Sequence, residues 1–287
     1  MADLKTKYMG LELRSPIIAG SCGLTSDVEK MVEMEKAGVG AVVLKSIFEE
    51  QINEETSGVF KAGYGMGDAY PEAEDYIKAY IRSNTIQKYV ELVRNAKSRL
   101  TIPVIASVNC FSGGEWVSFA RQLEEAGADA LELNVFILPV NEFKESVEVE
   151  NVYFEIVKSI KIPVSVKISH YFTNLSAFVD KIKAYGANAT TLFNRFYEPD
   201  ININTLEMGA ASVFSTAAEL RTTLRWTGIL AGKDKRLEIS ASTGVHGGEA
   251  AVKLLLAGAT TVQVCSVLYE KGIHVIEDIN NFVGKWM

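Results

Sequence analysis

The chain has 287 residues, of which 48% are hydrophobic and 23% charged, a composition typical of a packed globular protein. Its 29 Lys and Arg residues are outnumbered by 36 Asp and Glu residues, giving a net charge of −7, and no basic run is suited to a phosphate backbone, so we expect no nucleic-acid partner. No apolar run approaches the roughly 18 residues of a membrane span or resembles a secretory signal. We therefore expect a cytoplasmic protein that does not bind membranes.

Two kinds of strand opening alternate along the chain. One kind enters a short apolar run through Pro or an equivalent break, and the other follows a Gly of the type that ends a helix. Amphipathic stretches typical of helices separate these runs. The predicted strands lie within residues 15–19, 37–44, 102–106, 126–133, 162–166, 185–192, 237–240 and 257–264, and the clearest helices within 28–36, 116–126, 149–160, 175–185, 217–230 and 249–257.

This order predicts an α/β protein, specifically a (β/α)8 TIM barrel. Residues 7–13 are expected to form a hairpin that closes the bottom of the barrel. Long loops after strands 2 and 6, residues 47–84 and 195–215, should cover an active-site mouth or build an oligomer contact. Neither loop has the composition of a linker, so we expect 1–287 to be a single domain. A doubly wound open sheet is the competing architecture, but no Gly-x-Gly-x-x-Gly follows the first strand.

Polar residues follow the predicted strands, at the end of the barrel where such enzymes carry their chemistry. Lys45 and Lys167 each end an apolar run, where an unpaired ammonium is costly. We expect both to face an anionic ligand, the alternative being lysines that snorkel to the barrel rim. The strand ends carry Gly20, Ser21, Cys22, Lys45, Ser46, Asn109, Cys110, Asn134, Lys167, Asn194, Arg195, Ser242, Thr243, Gly244, Cys265 and Ser266.

The loops after the last two strands predict a phosphate site. Residues 242–248 follow strand 7 and residues 265–266 follow strand 8, positions where barrels often present backbone N–H groups to phosphate. A glycine turn without a ligand is the alternative. His246 is expected to order this loop, whereas His170, just past strand 5, is a candidate acid or base or else a loop hydrogen-bonder.

The three cysteines, Cys22, Cys110 and Cys265, are far apart in the sequence and show no C-x-x-C spacing. This pattern predicts neither a disulfide framework nor a zinc or iron–sulfur site. We expect reduced thiols and no metal, and nothing in the sequence indicates a neighbour that would activate any of them.

Several motifs resemble the dihydroorotate dehydrogenase family, with most similarity to its cytosolic class 1. They are Lys45-Ser46, residues 132–134, Lys167, the glycine loop at Gly244, and residues 258–260, and the resemblance spans nearly the whole chain. It implies an FMN-containing barrel that oxidises dihydroorotate to orotate in pyrimidine biosynthesis, usually as a homodimer. The chain has no cysteine cluster for an iron–sulfur centre, so electrons would pass to a separate electron-transfer subunit or a soluble acceptor.

The resemblance also implies roles for particular residues. Lys45 and Asn134 would touch both flavin and substrate, and Lys167 would face the flavin edge where negative charge develops on reduction. Asn194 would bind substrate. The expected cofactor contacts are Ala19, Gly20, Ser21, Lys45, Ser46, Asn109, Asn134, Lys167, Thr243, Gly244, Cys265 and Ser266.

Two departures from the family pattern bear on the substrate. Ile137 stands where family members have a Cys or Ser base, and isoleucine cannot accept a proton. Residues 65–72 lack the substrate-contacting asparagines and add acidic groups, which disfavour an anionic substrate. If the chain oxidises dihydroorotate, the base must come from elsewhere, with His170 and Cys110 as candidates.

The sequence thus predicts an FMN-dependent oxidoreductase acting on CH–CH groups of a small molecule. Three alternatives stay open. One is a flavin- or ene-reductase-like activity on another small substrate, and another is a non-catalytic protein that binds FMN or a phosphate ligand. The third is a lyase or isomerase of phosphorylated sugars that binds no flavin.

Overall fold

The computed structural model describes residues 2–48, 71–109, 116–134, 145–158, 160–195, 199–210 and 212–287. The chain begins with an antiparallel hairpin of β1 (Thr6–Tyr8) and β2 (Leu11–Leu13). Its two turn residues, Met9 and Gly10, have φ values of 53° and 78°, the left-handed conformation that tight hairpin turns require. The predicted hairpin is confirmed.

Eight parallel strands form a closed barrel. Each strand pairs with its neighbours in chain order, and the last barrel strand pairs with the first. The short strand β5 (Ile47–Phe48) adds to the edge of the third barrel strand. The (β/α)8 prediction is therefore confirmed. The barrel strands are β3 (Ile17–Ala19), β4 (Ala41–Val43), β6 (Val104–Asn109), β7 (Ala130–Asn134), β8 (Val164–Ile168), β9 (Ala189–Leu192), β12 (Glu238–Ala241) and β13 (Thr261–Val264).

Helices alternate with these strands and surround the barrel. Two of the predicted helix-ending glycines, Gly38 and Gly258, have φ values of 95° and 105°, which side chains disfavour and glycine permits. The helices are α1 (Val28–Lys36), α2 (Pro71–Arg99), α3 (Trp116–Glu125), α4 (Ser146–Lys158), α5 (Leu175–Ala184), α6 (Leu220–Lys233), α7 (Gly248–Leu256), α8 (Ser266–Lys271) and α9 (Val275–Trp286).

Both long connections contain regular structure that the sequence patterns did not predict. Helix α2 begins at Pro71, well inside the predicted loop of residues 47–84, because Pro fits the first helical position and acidic residues favour the first turn. The connection after β9 carries a second antiparallel hairpin, β10 (Pro199–Asn202) and β11 (Glu207–Ala210).

Alternating residues of the strands serve two cores. One large apolar cluster lies between the strands and the helices, and a smaller one lies inside the barrel, where Ile18 and Ile105 contact Tyr8, Met9 and Leu13 of the first hairpin. We call this smaller cluster the plug. It closes the amino-terminal end of the barrel, as predicted, and leaves the carboxyl end for the site. Among the described residues, no helix is long and apolar enough to cross a bilayer.

Candidate active site at the mouth of the barrel

A cavity of about 440 Å³ opens at the carboxyl ends of the strands. The predicted phosphate loops form one wall, and residues from β8 and the segment after β9 form the floor and the opposite side. Many residues selected from the sequence therefore meet in one place. Those lining the cavity include Ser21, Lys167, Asn194, Thr243, Gly244, Cys265 and Ser266.

Lys167 lies at the floor of the cavity and is paired with an acidic residue. It is 7% exposed, and its Nζ lies 3.4 Å from Oε1 of Glu132. Burial by itself lowers the pKa of this ammonium, but the Glu132 carboxylate and, more weakly, the Cys265 and Cys22 sulfurs raise it above its usual value. Lys167 is therefore a fixed cation at neutral pH, made tolerable by a carboxylate that the sequence analysis did not single out.

Glu132 is in turn held by a network that crosses the barrel interior. Its Oε2 accepts hydrogen bonds from Nε2 of Gln263 at 2.6 Å and from Oγ1 of Thr191 at 3.0 Å. Thr191 Oγ1 lies 2.9 Å from Oγ of Ser165, which accepts a 3.0 Å hydrogen bond from the hydroxyl of Tyr8 in the plug. We call this continuous chain of contacts the polar column, formed by Tyr8, Ser165, Thr191, Glu132 and Lys167.

The loop after β12 has the backbone of an anion cradle. Thr243 and Gly244 have φ values of 78° and 79°, and the Thr243 hydroxyl donates to the Phe193 carbonyl at 3.0 Å. A Cβ on Gly244 would lie 2.2 Å from the backbone nitrogen of Leu220, at the start of α6. Glycine is needed at 244 because the loop packs against that helix in a left-handed conformation.

The predicted residues on the first two barrel strands are joined by hydroxyl contacts. Ser21 Oγ lies 3.0 Å from Ser46 Oγ, which lies 2.7 Å from Ser107 Oγ. Ser21 Oγ also accepts the backbone N–H of Ser46 at 2.9 Å, so the two strand ends are locked together. The neighbouring Lys45 is exposed and does not line this cavity. Of the two lysines expected to face an anionic ligand, only Lys167 lines the cavity. Ala19 and Gly20 are buried behind Ser21.

Four amide side chains lie at the ends of the barrel strands, two of them with unpaired oxygens. Asn194 Nδ2 donates to Asn134 Oδ1 at 2.8 Å, which ties the ends of β7 and β9 together. Asn109 and Gln263, 4% and 2% exposed, each have a buried side-chain oxygen without a hydrogen-bond partner among the described residues. A buried amide oxygen without a partner is costly, and Gln263 lines the cavity, so its oxygen fits a ligand that carries an N–H or O–H donor.

Cys22 and Cys265 come together although 243 positions separate them. The neighbouring Cys265 thiol lowers the pKa of Cys22 to about 6 against the opposing effect of burial, with help from the backbone near Leu24 and Thr25, and the Cys265 thiol donates to the Ser21 carbonyl at 3.9 Å. The contact with Cys22 and burial raise the pKa of Cys265 well above its usual value. Both cysteines are free and line the cavity. Cys22 is therefore the thiolate at neutral pH, and the neighbour that activates it, Cys265, was not indicated by the sequence.

His170 packs against Phe193, which lies between it and the cavity. It is exposed, and its ring centroid is 5.7 Å from that of Phe193, which lines the cavity, and 4.3 Å from that of Tyr171. Cys110, Ile137 and residues 65–70 lie outside the described residues. Within the described ranges, no group of three or more His, Cys, Asp or Glu side chains is placed to hold a metal ion.

Several cavity residues were missed because their role depends on contacts distant in sequence. In the sequence, Cys22 and Arg195 are recognisable only as residues at strand ends. Arg195 donates to Glu219 at 3.1 Å and to two carbonyls of the 212–213 segment. Gln263 and Glu132 could have been found from one signal, a polar residue facing inward within an otherwise apolar barrel strand. No sequence signal joined Ser215 to the site.

The fold and the cavity define a TIM-barrel protein with a cationic floor and a backbone cradle suited to phosphate. The family model described as dihydroorotate dehydrogenase matches residues 3–287. The chain belongs to the dihydroorotate dehydrogenase family and is an oxidoreductase of that kind, as the resemblance implied.

Relatives at full length agree with this assignment. The catalytic subunit of dihydroorotate dehydrogenase B (NAD(+)) of Thermoplasma acidophilum is 30% identical over 297 residues, covering 100% of this chain and 94% of the relative. A putative dihydroorotate dehydrogenase A (fumarate) of Aeropyrum pernix is 27% identical, covering 99% of this chain and 92% of the relative. The dihydroorotate dehydrogenase A (fumarate) of Limosilactobacillus reuteri is 26% identical over 91% of this chain and 86% of the relative.

Proposed function

We propose that this chain is an FMN-dependent oxidoreductase that acts on a CH–CH group of a small molecule, with residues 1–287 forming one FMN-binding domain. The observation that carries the proposal is the cavity itself, which has the protonated Lys167 at its floor and the loops of Gly244 and Cys265 at its wall. Bound FMN supplies the two-electron acceptor that no amino-acid side chain provides for such a reaction.

The residues present fit a flavin nucleotide. The unpaired oxygen of Gln263, a residue that lines the cavity, can accept a hydrogen bond from an N–H group of a ring system. The Lys167 cation favours any negative charge that develops beside it, because the low dielectric of the interior strengthens the interaction. The backbone around Gly244 and Ser266 supplies donors to the phosphate.

The substrate-binding residues follow from the same family assignment. We propose that Lys45, Asn134 and Asn194 bind the substrate, and the 2.8 Å bond between the two asparagines supports their acting together. Ile137 in place of a base favours a substrate or protonation route different from that of dihydroorotate. His170 and Cys110 are the candidates for proton transfer if dihydroorotate is the substrate.

The cofactor is tested first. Purified protein should show the visible bands of oxidised flavin, or acquire them with added FMN, and heat should release a compound with the mass of FMN. Protein that stays colourless and does not take up FMN would overturn the proposal and favour a ligand such as a sugar phosphate.

Substrates are then compared anaerobically by loss of the oxidised flavin bands. Bleaching by dihydroorotate would identify the family reaction, whereas bleaching by NADH or NADPH alone would identify a reductase. In the first case, His170→Ala and Cys110→Ala are compared with the unsubstituted protein. Unchanged turnover in both variants would exclude both residues as the base. If no donor bleaches the flavin, a non-catalytic binding role is favoured instead.

We also propose a homodimer that passes electrons to a separate subunit or a soluble acceptor. The β10–β11 hairpin presents Ile201, Ile203, Leu206 and Met208, each at least 59% exposed, and exposed apolar groups clustered on one hairpin are typical of an interface. The relative named as a catalytic subunit supports an electron-transfer partner. A monomeric mass by light scattering at micromolar concentration would overturn the homodimer.

A further inference from the structure

Four side chains from three segments are hydrogen-bonded in a row beside the phosphate loops. Glu270 Oε2 lies 3.0 Å from Nδ1 of His246, and Nε2 of His246 lies 3.1 Å from Oγ of Ser215. The Ser215 hydroxyl donates to Oγ of Ser266 at 3.1 Å. Because Ser266 and Glu270 both belong to α8, the row begins and ends on the same short helix. We call these four residues the relay.

The partners of each group fix the direction in which protons point along the relay. Ser266 Oγ accepts the hydroxyl of Ser215 and also its backbone N–H, at 3.0 Å. A hydroxyl oxygen has two lone pairs, so Ser266 has its own proton left to donate. Ser215 donates its proton to Ser266, and its Oγ also lies 3.1 Å from Nε2 of His246.

His246 is held from both sides of its ring. The Glu270 carboxylate can only accept, so Nδ1 of His246 donates to it at 3.0 Å. The Lys271 ammonium donates to the carbonyl of His246 at 2.9 Å, which holds the loop after β12 against α8.

The relay ends inside the cavity. Ser215 is 7% exposed, and both Ser215 and Ser266 line the cavity together with Gly244 and Cys265. The relay therefore enters the cavity through the buried hydroxyl of Ser215 and ends at the half-buried Ser266, next to the backbone loops that suit phosphate.

We propose that Glu270, His246 and Ser215 are positioning residues that hold the Ser266 hydroxyl as a donor to the phosphate group of the bound ligand. The inference rests on the proposed function for the identity of that ligand as FMN. Hydrogen bonds to a charged group such as the Glu270 carboxylate are about twice as strong as neutral ones, and hydrogen bonds that follow one another in a chain strengthen each other.

The same three side chains have the order of a hydrolase triad, but the protons point the other way. In a hydrolase the serine donates to the histidine, which removes its proton during attack. Here the Ser215 proton points to Ser266, so Ser215 is not set up as a nucleophile. The relay points towards binding rather than bond cleavage.

The test compares ligands with and without phosphate. Dissociation constants for FMN and for riboflavin, which lacks the phosphate, are measured by flavin fluorescence for the unsubstituted protein and for His246→Gln, Glu270→Gln and Ser215→Ala. We expect each variant to lose about tenfold or more in FMN affinity, as for loss of a charge-assisted bond, and to bind riboflavin within about twofold of the original value. Ser215→Thr, which keeps the hydroxyl, should restore FMN binding.

His274→Gln is the matched control, because His274 is an exposed histidine at the start of α9 outside the relay. It should bind both flavins as the unsubstituted protein does. Equal losses for FMN and riboflavin in the relay variants would indicate a merely structural role and overturn the inference, as would unchanged FMN affinity. Labelling of Ser215 by a fluorophosphonate would show a nucleophile and would also overturn it.

Inorganic phosphate separates this inference from the proposed function. If the unsubstituted protein binds phosphate by 31P line broadening but not FMN, the proposed cofactor is wrong, and the relay is judged by whether the variants lose phosphate binding. If the protein binds neither FMN nor phosphate, both proposals are wrong.

Discussion

The two ends of the barrel differ in the polarity of their side chains. At the amino-terminal end, Tyr8, Met9 and Leu13 are at most 3% exposed and pack against inward-facing aliphatic side chains. At the carboxyl end, the cavity is lined by amides, hydroxyls, thiols and a buried cation. The comparison shows that apolar packing and ligand binding occupy different ends of one set of strands, and that the polar column connects the two ends.

The largest expected effect comes from breaking the polar column at its charged end. Glu132→Ala leaves the Lys167 ammonium buried without its carboxylate, and loss of one member of a buried ion pair costs about 3–5 kcal/mol. We expect the free energy of unfolding in urea to fall by that amount. The matched control is the double variant Glu132→Gln with Lys167→Met, which removes both charges and should lose much less stability. It should still fail to bind FMN, because the cation is gone. Equal stability losses in the two variants would show that the ion pair is not the cause.

The plug should affect stability without affecting the mouth. Leu13→Ala removes a 2% exposed side chain and should cost about 2–5 kcal/mol, the usual range for such a buried leucine. FMN affinity, measured at a temperature where the variant is folded, should stay within about twofold. Leu256→Ala, at a 65% exposed position outside the proposed dimer interface, is the control and should change stability by less than about 0.5 kcal/mol. A large loss of FMN affinity in Leu13→Ala would contradict the separation of the two ends.

The smallest effect concerns reactivity at the mouth rather than stability. The neighbouring Cys265 thiol lowers the pKa of Cys22 to about 6, and the thiolate is the reactive form. Alkylation of Cys22 by iodoacetamide, followed by peptide mass spectrometry, should therefore rise with pH through a midpoint near 6 and level off above it. In Cys265→Ala the midpoint should move up towards the ordinary cysteine value of about 8.5. An unchanged midpoint in that variant would exclude Cys265 as the cause.

Much of the fold could be predicted from local signals. Each barrel strand overlaps the residues chosen from the Pro and Gly openings, because a short buried parallel strand must be apolar and a helix end needs a left-handed residue. The second hairpin was not predicted, since residues 199–209 are exposed and lack the in–out alternation that marks a half-buried strand.

The candidate site likewise has residues that the sequence predicts and residues that it does not. Lys167, Thr243, Gly244, Cys265 and Ser266 could be chosen because every strand end of a parallel barrel points to the same face. Their partners could not be chosen in this way. The contacts of Glu132 with Gln263, of Cys22 with Cys265 and of Ser215 with Ser266 join residues 131, 243 and 51 positions apart.

The sequence by itself therefore determined the barrel, the polar mouth and the family, because periodicity and strand-end position are properties of neighbouring residues. Only the tertiary structure decided which charges and protons face one another. The cation at Lys167, the thiolate at Cys22 and the direction of the relay each depend on distances of a few ångströms between segments that the chain order keeps far apart, and electrostatic and hydrogen-bond energies are set by those distances.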